Sequence, residues 1–163
     1  MSRSPFAIEL LAAAHKRANF ACGNDALDRY LRQQASQDMR RHVSACFVAR
    51  EIVTEDIAAY YTLAAGGVLL SDLPDPVAKK LPRYPSVPVA RVGRLAIAQN
   101  HQGHRLGAAL LWDAAVRAER SEVAVYALVV DAKDDRAAAF YRHHGFIELR
   151  ADPHQLFMPL RKR

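Results

Sequence analysis

Apolar residues recur at helical spacings in residues 24–41, where most of the other positions are polar. The apolar positions are Leu27, Tyr30, Leu31 and Met39. Asn24 precedes them and is a favourable N-cap residue, because its side chain can accept a hydrogen bond from a first-turn amide. The pattern predicts an amphipathic helix with a basic far end.

The chain then changes to a pattern typical of strands. Residues 43–51 and 57–70 are rich in β-branched and aromatic side chains, and the polar residues 52–56 between them fit a hairpin connection. The next segment, residues 71–89, holds five of the chain's eight prolines. It is therefore expected to be a surface loop around one short helix, near residues 76–81.

Beyond this loop, strand and helix patterns alternate. We expect, in order, a strand at about 87–98, a helix at about 105–119, a strand within 123–131, a helix within 134–145 and strands within 146–150 and 156–160. In the first of these helices, Leu106, Ala109, Leu110 and Ala114 are expected to face inward. The order of elements predicts a single α/β domain over residues 1–163, built on a mixed sheet.

Composition narrows the class of protein. With 163 residues and 51% hydrophobic content, the chain is long enough for one domain with a sizeable core. Two cysteines are too few for a disulfide framework, and no Cys or His spacing fits zinc, so we expect a reduced, cytoplasmic protein without a metal. No apolar run approaches the length of a membrane span. The net charge of +6 favours polyanionic partners.

The junction between the strand ending near Ala98 and the following helix contains two glycines, Gly103 and Gly107. The first-turn amides of a helix lack intrahelical partners, and glycines let a phosphate approach them closely. His104 and Arg105 could add side-chain contacts. On spacing alone, a tight turn is the simpler role for the glycines, and the segment is neither a G-x-x-x-x-G-K-[ST] nor a G-x-G-x-x-G loop.

Two longer segments resemble one enzyme family. "VGRLAIAQNHQGHRLGAALL" resembles motif A of the GCN5-related N-acetyltransferases, and "DDRAAAFYRHHGF" resembles their motif B, in the family's order. The further segments "FACGNDALDRYLRQQASQD", "YYTLAAG" and "FMPL" look like the acetyltransferase toxins of bacterial type II toxin–antitoxin pairs. Two positions depart from the motifs, since Arg105 replaces a motif glycine and Asp134 replaces an asparagine.

The resemblance implies the GNAT fold, a mixed central sheet with two splayed parallel strands and flanking helices, and acetyl-coenzyme A as co-substrate. It implies that Tyr141 protonates or hydrogen-bonds the departing thiolate, whereas without the motif the tyrosine would be read as a ring that packs under the sheet. The residues it assigns to the coenzyme are Leu95, Ala96, Ile97, Gln102, Gly103, His104, Arg105, Leu106, Gly107, Ala108 and Asp134. Asp134 also stands where a helix begins, so capping is its simplest role. The seven histidines are expected to be solvent-facing rather than bases, because water can accept the proton of an α-amine.

The toxin resemblance also implies an acceptor and partners. The acceptor is the α-amino group of the amino acid on charged tRNA, and acetylation blocks translation. The candidate tRNA contacts are Arg40, Arg41, Lys79, Lys80, Arg83 and Arg91. The implied partners are a cognate DNA-binding antitoxin of the ribbon-helix-helix type and a second copy of the chain, with no membrane. Two alternatives stay open: acetylation of a small amine or a protein N-terminus, and a non-catalytic module that binds coenzyme A or nucleic acid.

Overall fold

A computed structural model describes residues 4–160. Its strands are β1 (Phe6–Leu10), β2 (Ala45–Glu51), β3 (Ile57–Leu69), β4 (Ser86–Ile97), β5 (Ala127–Asp131), β6 (Ile147–Glu148) and β7 (Gln155–Pro159). Its α-helices are α1 (Asp25–Arg29), α2 (Ala35–Arg40), α3 (Asp75–Ala78), α4 (Leu106–Arg120) and α5 (Asp135–His143). A π-helical turn covers Tyr30–Gln34, and 3-10 turns cover Leu70–Asp72 and Gln99–His101.

The strands form one mixed sheet in the order β1-β2-β3-β4-β5-β7-β6. Strands β4 and β5 pair parallel, with Val89 opposite Ala127 and Val92 opposite Val130, and β4 then continues to Ile97. The pairs β1–β2, β2–β3, β5–β7 and β6–β7 are antiparallel. Parallel neighbours need a crossover connection, which α4 supplies here. The predicted mixed α/β class is confirmed.

The chain divides into two compact units. One comprises the chain up to Ala64 together with Gly93–Asp113, and the other comprises Ala65–Val92 together with the chain from Ala114 onward. The boundaries fall within β3, β4 and α4. A single domain over residues 1–163 stays a prediction.

Each unit has its own buried apolar cluster. In the first unit, Leu31 from the π-helical turn, Val48 from β2 and Tyr60 from β3 have no solvent exposure. In the second unit, Val89, Val129 and Phe157 from three strands are equally buried. The central strands carry runs of consecutive buried residues, as in residues 46–49 of β2 and residues 127–130 of β5, so both faces of these strands are covered.

The predicted helix over 24–41 is present, but it is not uniform. Asn24 caps it as expected, with its side-chain oxygen accepting a 3.1 Å hydrogen bond from the Leu27 amide. Between α1 and α2 the backbone widens into the π-helical turn that begins at Tyr30. Helical periodicity alone does not distinguish such a turn from a regular helix, so the sequence did not predict it.

Strand β1 was not predicted. Glu9 interrupts its apolar pattern, yet in the structure the Glu9 carboxylate lies 3.1 Å from Arg50 on the paired strand β2 and 2.6 Å from His15. An edge strand tolerates such a polar side chain because cross-strand charge pairs satisfy it. The apolar residues around Glu9 therefore form an edge strand that pairs with β2.

One prediction for α4 is wrong. Leu106, Leu110 and Ala114 are buried as expected, but Ala109 is exposed. The buried positions continue instead through Leu111, Ala115 and Ala118, which follow the helical period. Within residues 4–160, no helix is long and apolar enough to cross a membrane.

Candidate active site

The glycine-containing junction forms a loop between the end of β4 and the start of α4, and it lies entirely in the first unit. Gly103 has φ +86°, and a side chain placed there would meet no atom within 4 Å. Arg105 has φ +59°, the left-handed region that favours glycine. Arg105 therefore adopts the backbone conformation expected of the motif glycine that it replaces. We call residues 102–108 the donor loop.

Within residues 4–160, the backbone amides of 103–108 in the donor loop have no acceptors. Among the hydrogen bonds formed within residues 4–160, the backbone N–H groups of 103–108 donate none, and the first bonded amide is that of Ala109, which donates to the Arg105 carbonyl at 3.2 Å. Free first-turn amides at the positive end of a helix dipole attract anions. His104 and Arg105 are exposed beside them. This arrangement fits a pyrophosphate.

The side chain of Gln102 anchors the donor loop to neighbouring segments through hydrogen bonds. Its side-chain nitrogen donates to the Ile97 carbonyl at 3.1 Å and to the Cys22 carbonyl at 3.2 Å. The side chain thus ties the loop to the end of β4 and to the segment before α1. A contact between Gln102 and the coenzyme stays a prediction.

Strand β4 ends with Leu95, Ala96 and Ile97, and the 3-10 turn separates them from the donor loop. Ala96 is buried in the first unit's core, whereas Leu95 and Ile97 are half-buried. Because successive side chains of a strand point to opposite faces, Leu95 and Ile97 share the face opposite Ala96. These positions are compatible with their predicted role beside the coenzyme.

Helix α5 contains most of the segment that resembles motif B, and it lies in the second unit. Asp134 is its N-cap, with a side-chain oxygen that accepts a 2.8 Å hydrogen bond from the Ala137 amide. Gly145, at φ +93°, ends the helix, because few other residues adopt that conformation readily. Phe146 then turns back, and its ring lies 5.7 Å from that of Tyr141.

Tyr141 differs from the other buried tyrosines in the state of its hydroxyl. The hydroxyls of Tyr30, Tyr60 and Tyr61 donate to Asp38 at 2.8 Å, to the Leu27 carbonyl at 2.6 Å and to Asp113 at 2.6 Å. The Tyr141 hydroxyl forms no hydrogen bond within residues 4–160, although its residue is only 5% exposed. No buried side-chain polar atom of this region lacks a partner. The hydroxyl must therefore open onto solvent-accessible space.

The surroundings of Tyr141 keep its phenol protonated. Burial, reinforced by the negative charge of Asp131, raises the Tyr141 pKa to about 12. Asp131 itself forms a 2.8 Å ion pair with Arg91. A neutral phenol with a free O–H is a hydrogen-bond donor throughout the physiological pH range.

The candidate tRNA contacts differ in how far they are free to bind a phosphate. Arg40, Arg41, Lys79, Lys80 and Arg83 are exposed, and their side chains form no ion pair or hydrogen bond within residues 4–160. Arg91 is half-buried, and its charge is already paired with Asp131. The sequence does not distinguish a free arginine from a paired one, because the partner lies forty positions away on another strand.

The expectation that all histidines face solvent is wrong for two of them. The side chains of His15 and His101 are 7% and 14% exposed and lie 2.6 Å from Glu9 and 2.7 Å from Glu51. His154 pairs with Asp135 at 2.7 Å, and this hydrogen bond raises the His154 pKa. These histidines have structural partners, and within residues 4–160 no three His, Cys, Asp or Glu side chains gather as a metal site would require.

Sequence reasoning did not single out Arg94, although it lies in the "GRLA" part of the first motif. Its guanidinium carbon lies 3.6 Å from the centre of the Tyr30 ring. Its backbone amide donates to the buried Thr62 hydroxyl at 3.1 Å. The available signal was a charged residue in a mostly apolar strand, which Arg94 shares with Arg91.

The fold and the two motifs define an acetyltransferase, and comparison with known proteins identifies its family. The model of the acetyltransferase (GNAT) family matches residues 9–146. The chain belongs to this family. It is also 34% identical over 142 residues to a tRNA-acetylating toxin of Mycobacterium tuberculosis (strain ATCC 25618 / H37Rv), covering 86% of this chain and 83% of that protein.

Two solved structures extend the likeness to nearly the whole chain. AtaT complexed with acetyl-methionyl-tRNAfMet has a TM-score of 0.88 and 28% identity, with 94% of each chain covered. An AtaT toxin in which a tyrosine is replaced by phenylalanine, bound to the C-terminus of the antitoxin AtaR and to acetyl-CoA, has a TM-score of 0.81 and 25% identity, with 96% of this chain and 94% of that chain covered. The implied GNAT fold is confirmed.

Proposed function

We propose that this protein transfers the acetyl group of acetyl-coenzyme A to the α-amino group of an aminoacyl-tRNA, and thereby blocks translation. The observation that carries the proposal is the unpartnered, accessible hydroxyl of Tyr141 within the motif that the acetyltransferase family uses. The free amides of the donor loop support it, because they supply an anion site where the family binds the coenzyme.

The donor side of the reaction follows from the chain's own groups. When bound, acetyl-coenzyme A supplies the acetyl group as an activated thioester. The amides of Gly103 to Ala108 hold its pyrophosphate, with the side chains of His104 and Arg105 beside it. The backbone of Leu95 to Ile97 pairs with the pantetheine arm as an added strand would. Asp134 supports the second motif by capping α5.

The acceptor amine attacks in its neutral form, and the carbon–sulfur bond breaks as the new carbon–nitrogen bond forms. Tyr141 donates its hydroxyl proton to the departing sulfur and regains a proton from solvent, and water accepts the proton that the amine loses. No side-chain base is required, because a free α-amine has a pKa near 8 and is partly neutral at physiological pH. The raised pKa of Tyr141 ensures that the proton is present.

Charged tRNA is the acceptor that the relatives and the exposed positive charge favour. The relatives include a tRNA-acetylating toxin and a structure with acetyl-methionyl-tRNA. The net charge of +6 and the exposed, unpaired cations suit a polyphosphate substrate. Those cations are Arg40, Arg41, Lys79, Lys80 and Arg83, and Arg91 contributes only if it leaves Asp131.

We also propose that the protein acts in the cytoplasm as a homodimer and pairs with a DNA-binding antitoxin of the ribbon-helix-helix type. The complex of an AtaT toxin with the C-terminus of the antitoxin AtaR supports an antitoxin partner. Light scattering on the purified chain tests the dimer, and a monomeric mass at micromolar concentration would contradict it.

The acceptor is tested by offering labelled acetyl-coenzyme A and three acceptor pools to the purified protein. The pools are mixed aminoacyl-tRNAs, the same tRNAs after deacylation, and a mixture of small amines and peptides. We expect label only in the first pool. Label in the third pool would indicate a small-amine or N-terminal acetyltransferase, and coenzyme binding without label in any pool would indicate a non-catalytic module.

A further inference from the structure

Arg94 is a half-buried cation whose side-chain donors are unclaimed. Its guanidinium carbon lies over the Tyr30 ring, 3.6 Å from the ring centre, and its side chain forms no ion pair or hydrogen bond within the part of the chain that the structure describes. Arginine normally meets a carboxylate or phosphate when it is withdrawn from water, because desolvation is costly without a partner. The free donors are therefore available to a ligand.

The surrounding residues hold Arg94 in place and leave its side-chain donors free. The Asp38 carboxylate, whose charge interacts with Arg94, accepts hydrogen bonds from Tyr30 at 2.8 Å and from Gln34 at 3.0 Å. Those hydrogen bonds lower the Asp38 pKa, so the carboxylate stays ionised and occupied. The π-helical turn places Tyr30 at its first position, with its ring against the guanidinium on one side and stacked on Tyr60 at 6.2 Å.

The position of Arg94 along β4 indicates which ligand it meets. If the donor loop holds the pyrophosphate, the pantetheine arm runs back along β4 from Ile97 toward Leu95, and its thioester lies at the Leu95 end. Arg94 is the next residue in that direction, about 3.3 Å further along the strand. An acceptor that reaches the thioester therefore brings its reactive end close to Arg94.

Resting on the function proposed above, we infer that Arg94 binds the phosphate that precedes the terminal nucleotide of the aminoacyl-tRNA. An esterified amino acid has no carboxylate of its own, so this phosphate is the anion nearest the reacting amine. A guanidinium can hold it through two parallel hydrogen bonds while Tyr30 fixes the plane of the group. Arg94 is then a positioning residue that fixes the distance from the amine to the thioester.

The test is a double-mutant cycle across the interface. The aminoacyl-tRNA that the wild-type protein acetylates best is prepared with its terminal linkage as the natural phosphodiester or as a neutral methylphosphonate. Initial rates then give kcat/KM for the wild type and for Arg94→Gln. We expect the neutral linkage to lower the wild-type value about tenfold or more, and to change the Arg94→Gln value less than about threefold.

Further variants separate contact from folding. Arg120→Gln removes an exposed cation at the end of α4 and should keep the wild-type sensitivity to the linkage. Tyr30→Phe keeps the aromatic ring and should keep the wild-type sensitivity to the linkage. Tyr30→Leu removes the ring and should lose that sensitivity. Melting temperature and coenzyme affinity, measured by calorimetry, show whether each variant is folded and loaded.

The outcomes are distinct. Equal sensitivity of the wild type and Arg94→Gln to the neutral linkage, or no sensitivity in the wild type, would overturn the assignment of Arg94. Failure of the wild type to acetylate any natural aminoacyl-tRNA would instead overturn the proposed function.

Discussion

The side-chain nitrogen of Gln102 donates a 3.1 Å hydrogen bond to the carbonyl oxygen of Ile97, the last residue of β4. A second bond, to the Cys22 carbonyl, ties the same side chain to the segment before α1. Gln102 thus holds the donor loop against two separate parts of the first unit. The loop's free amides depend on this brace for their positions, since no other side chain of the loop forms a hydrogen bond within residues 4–160.

Replacing Gln102 with alanine should loosen the donor loop without unfolding the protein. Two hydrogen bonds of about 1 kcal/mol each correspond to a loss of about tenfold in acetyl-coenzyme A affinity. Isothermal calorimetry measures this change. Gln99→Ala is the matched control, because the Gln99 side chain lies in the preceding turn and forms no hydrogen bond within residues 4–160. Equal effects of the two substitutions would contradict the bracing role.

Glutamate at Gly107 should abolish coenzyme binding. Gly107 is buried in the first turn of α4, so Gly107→Glu places both bulk and a negative charge where the pyrophosphate is expected. The loss of two or more charge-assisted hydrogen bonds predicts an affinity at least about 100-fold weaker. Ala109→Glu adds the same charge on the exposed face of the helix and should bind normally. A Gly107→Glu variant that folds and retains wild-type affinity would exclude the pyrophosphate assignment.

Features that depend on neighbouring residues could be predicted from the sequence, whereas contacts between distant residues could not. Helix signals are local, so the Asn24 and Asp134 caps and the end of α5 at Gly145 were readable from single residues. The pairing of Arg91 with Asp131 and of His101 with Glu51 was not, because those contacts join residues forty or more positions apart. The family resemblance supplied the role of Tyr141, but only the structure shows that its hydroxyl has no hydrogen-bond partner among residues 4–160.

The exposed cations of the proline-rich loop should contribute to tRNA affinity through phosphate contacts. Replacing Lys79, Lys80 and Arg83 with alanine should raise KM for aminoacyl-tRNA and flatten its dependence on salt concentration, by a slope of about 0.7 to 0.9 per lost phosphate contact. The control replaces Arg50, Arg142 and Arg150, which are paired with Glu9, Glu148 and Asp75. It removes the same charge and should leave the slope nearly unchanged. Identical slopes for the triple variant and the wild type would make these cations ordinary surface residues.

The pH dependence of the rate should follow the acceptor and not Tyr141. Below the pKa of the acceptor amine, near 8 or lower, the rate should fall about tenfold per pH unit, because only the neutral amine attacks. The Tyr141 pKa is about 12, so its hydroxyl stays protonated and no alkaline decline should appear up to about pH 9. Initial rates measured with saturating coenzyme test both the acidic fall in rate and the absence of an alkaline fall. A rate that falls as the pH is raised above neutrality would require a different proton donor.

The Tyr141 hydroxyl should be needed for turnover but not for folding. Tyr141→Phe keeps the ring between its aromatic neighbours and removes only an oxygen that has no partner within residues 4–160. Tyr60→Phe removes an oxygen bonded at 2.6 Å to the Leu27 carbonyl, so it should cost about 1 to 3 kcal/mol of unfolding free energy and leave kcat nearly unchanged. The two variants should therefore show opposite defects.

The most direct measurement is the rate at which N-acetyl-aminoacyl-tRNA forms, quantified by mass spectrometry of the released terminal aminoacyl-adenosine, for the wild type and both tyrosine variants. We predict that the wild type and Tyr60→Phe form this product, and that Tyr141→Phe forms it about 10²- to 10⁴-fold more slowly with unchanged coenzyme affinity and melting temperature. Formation of the product by Tyr141→Phe within about threefold of the wild-type rate, or no such product from the wild type, would contradict the proposed reaction.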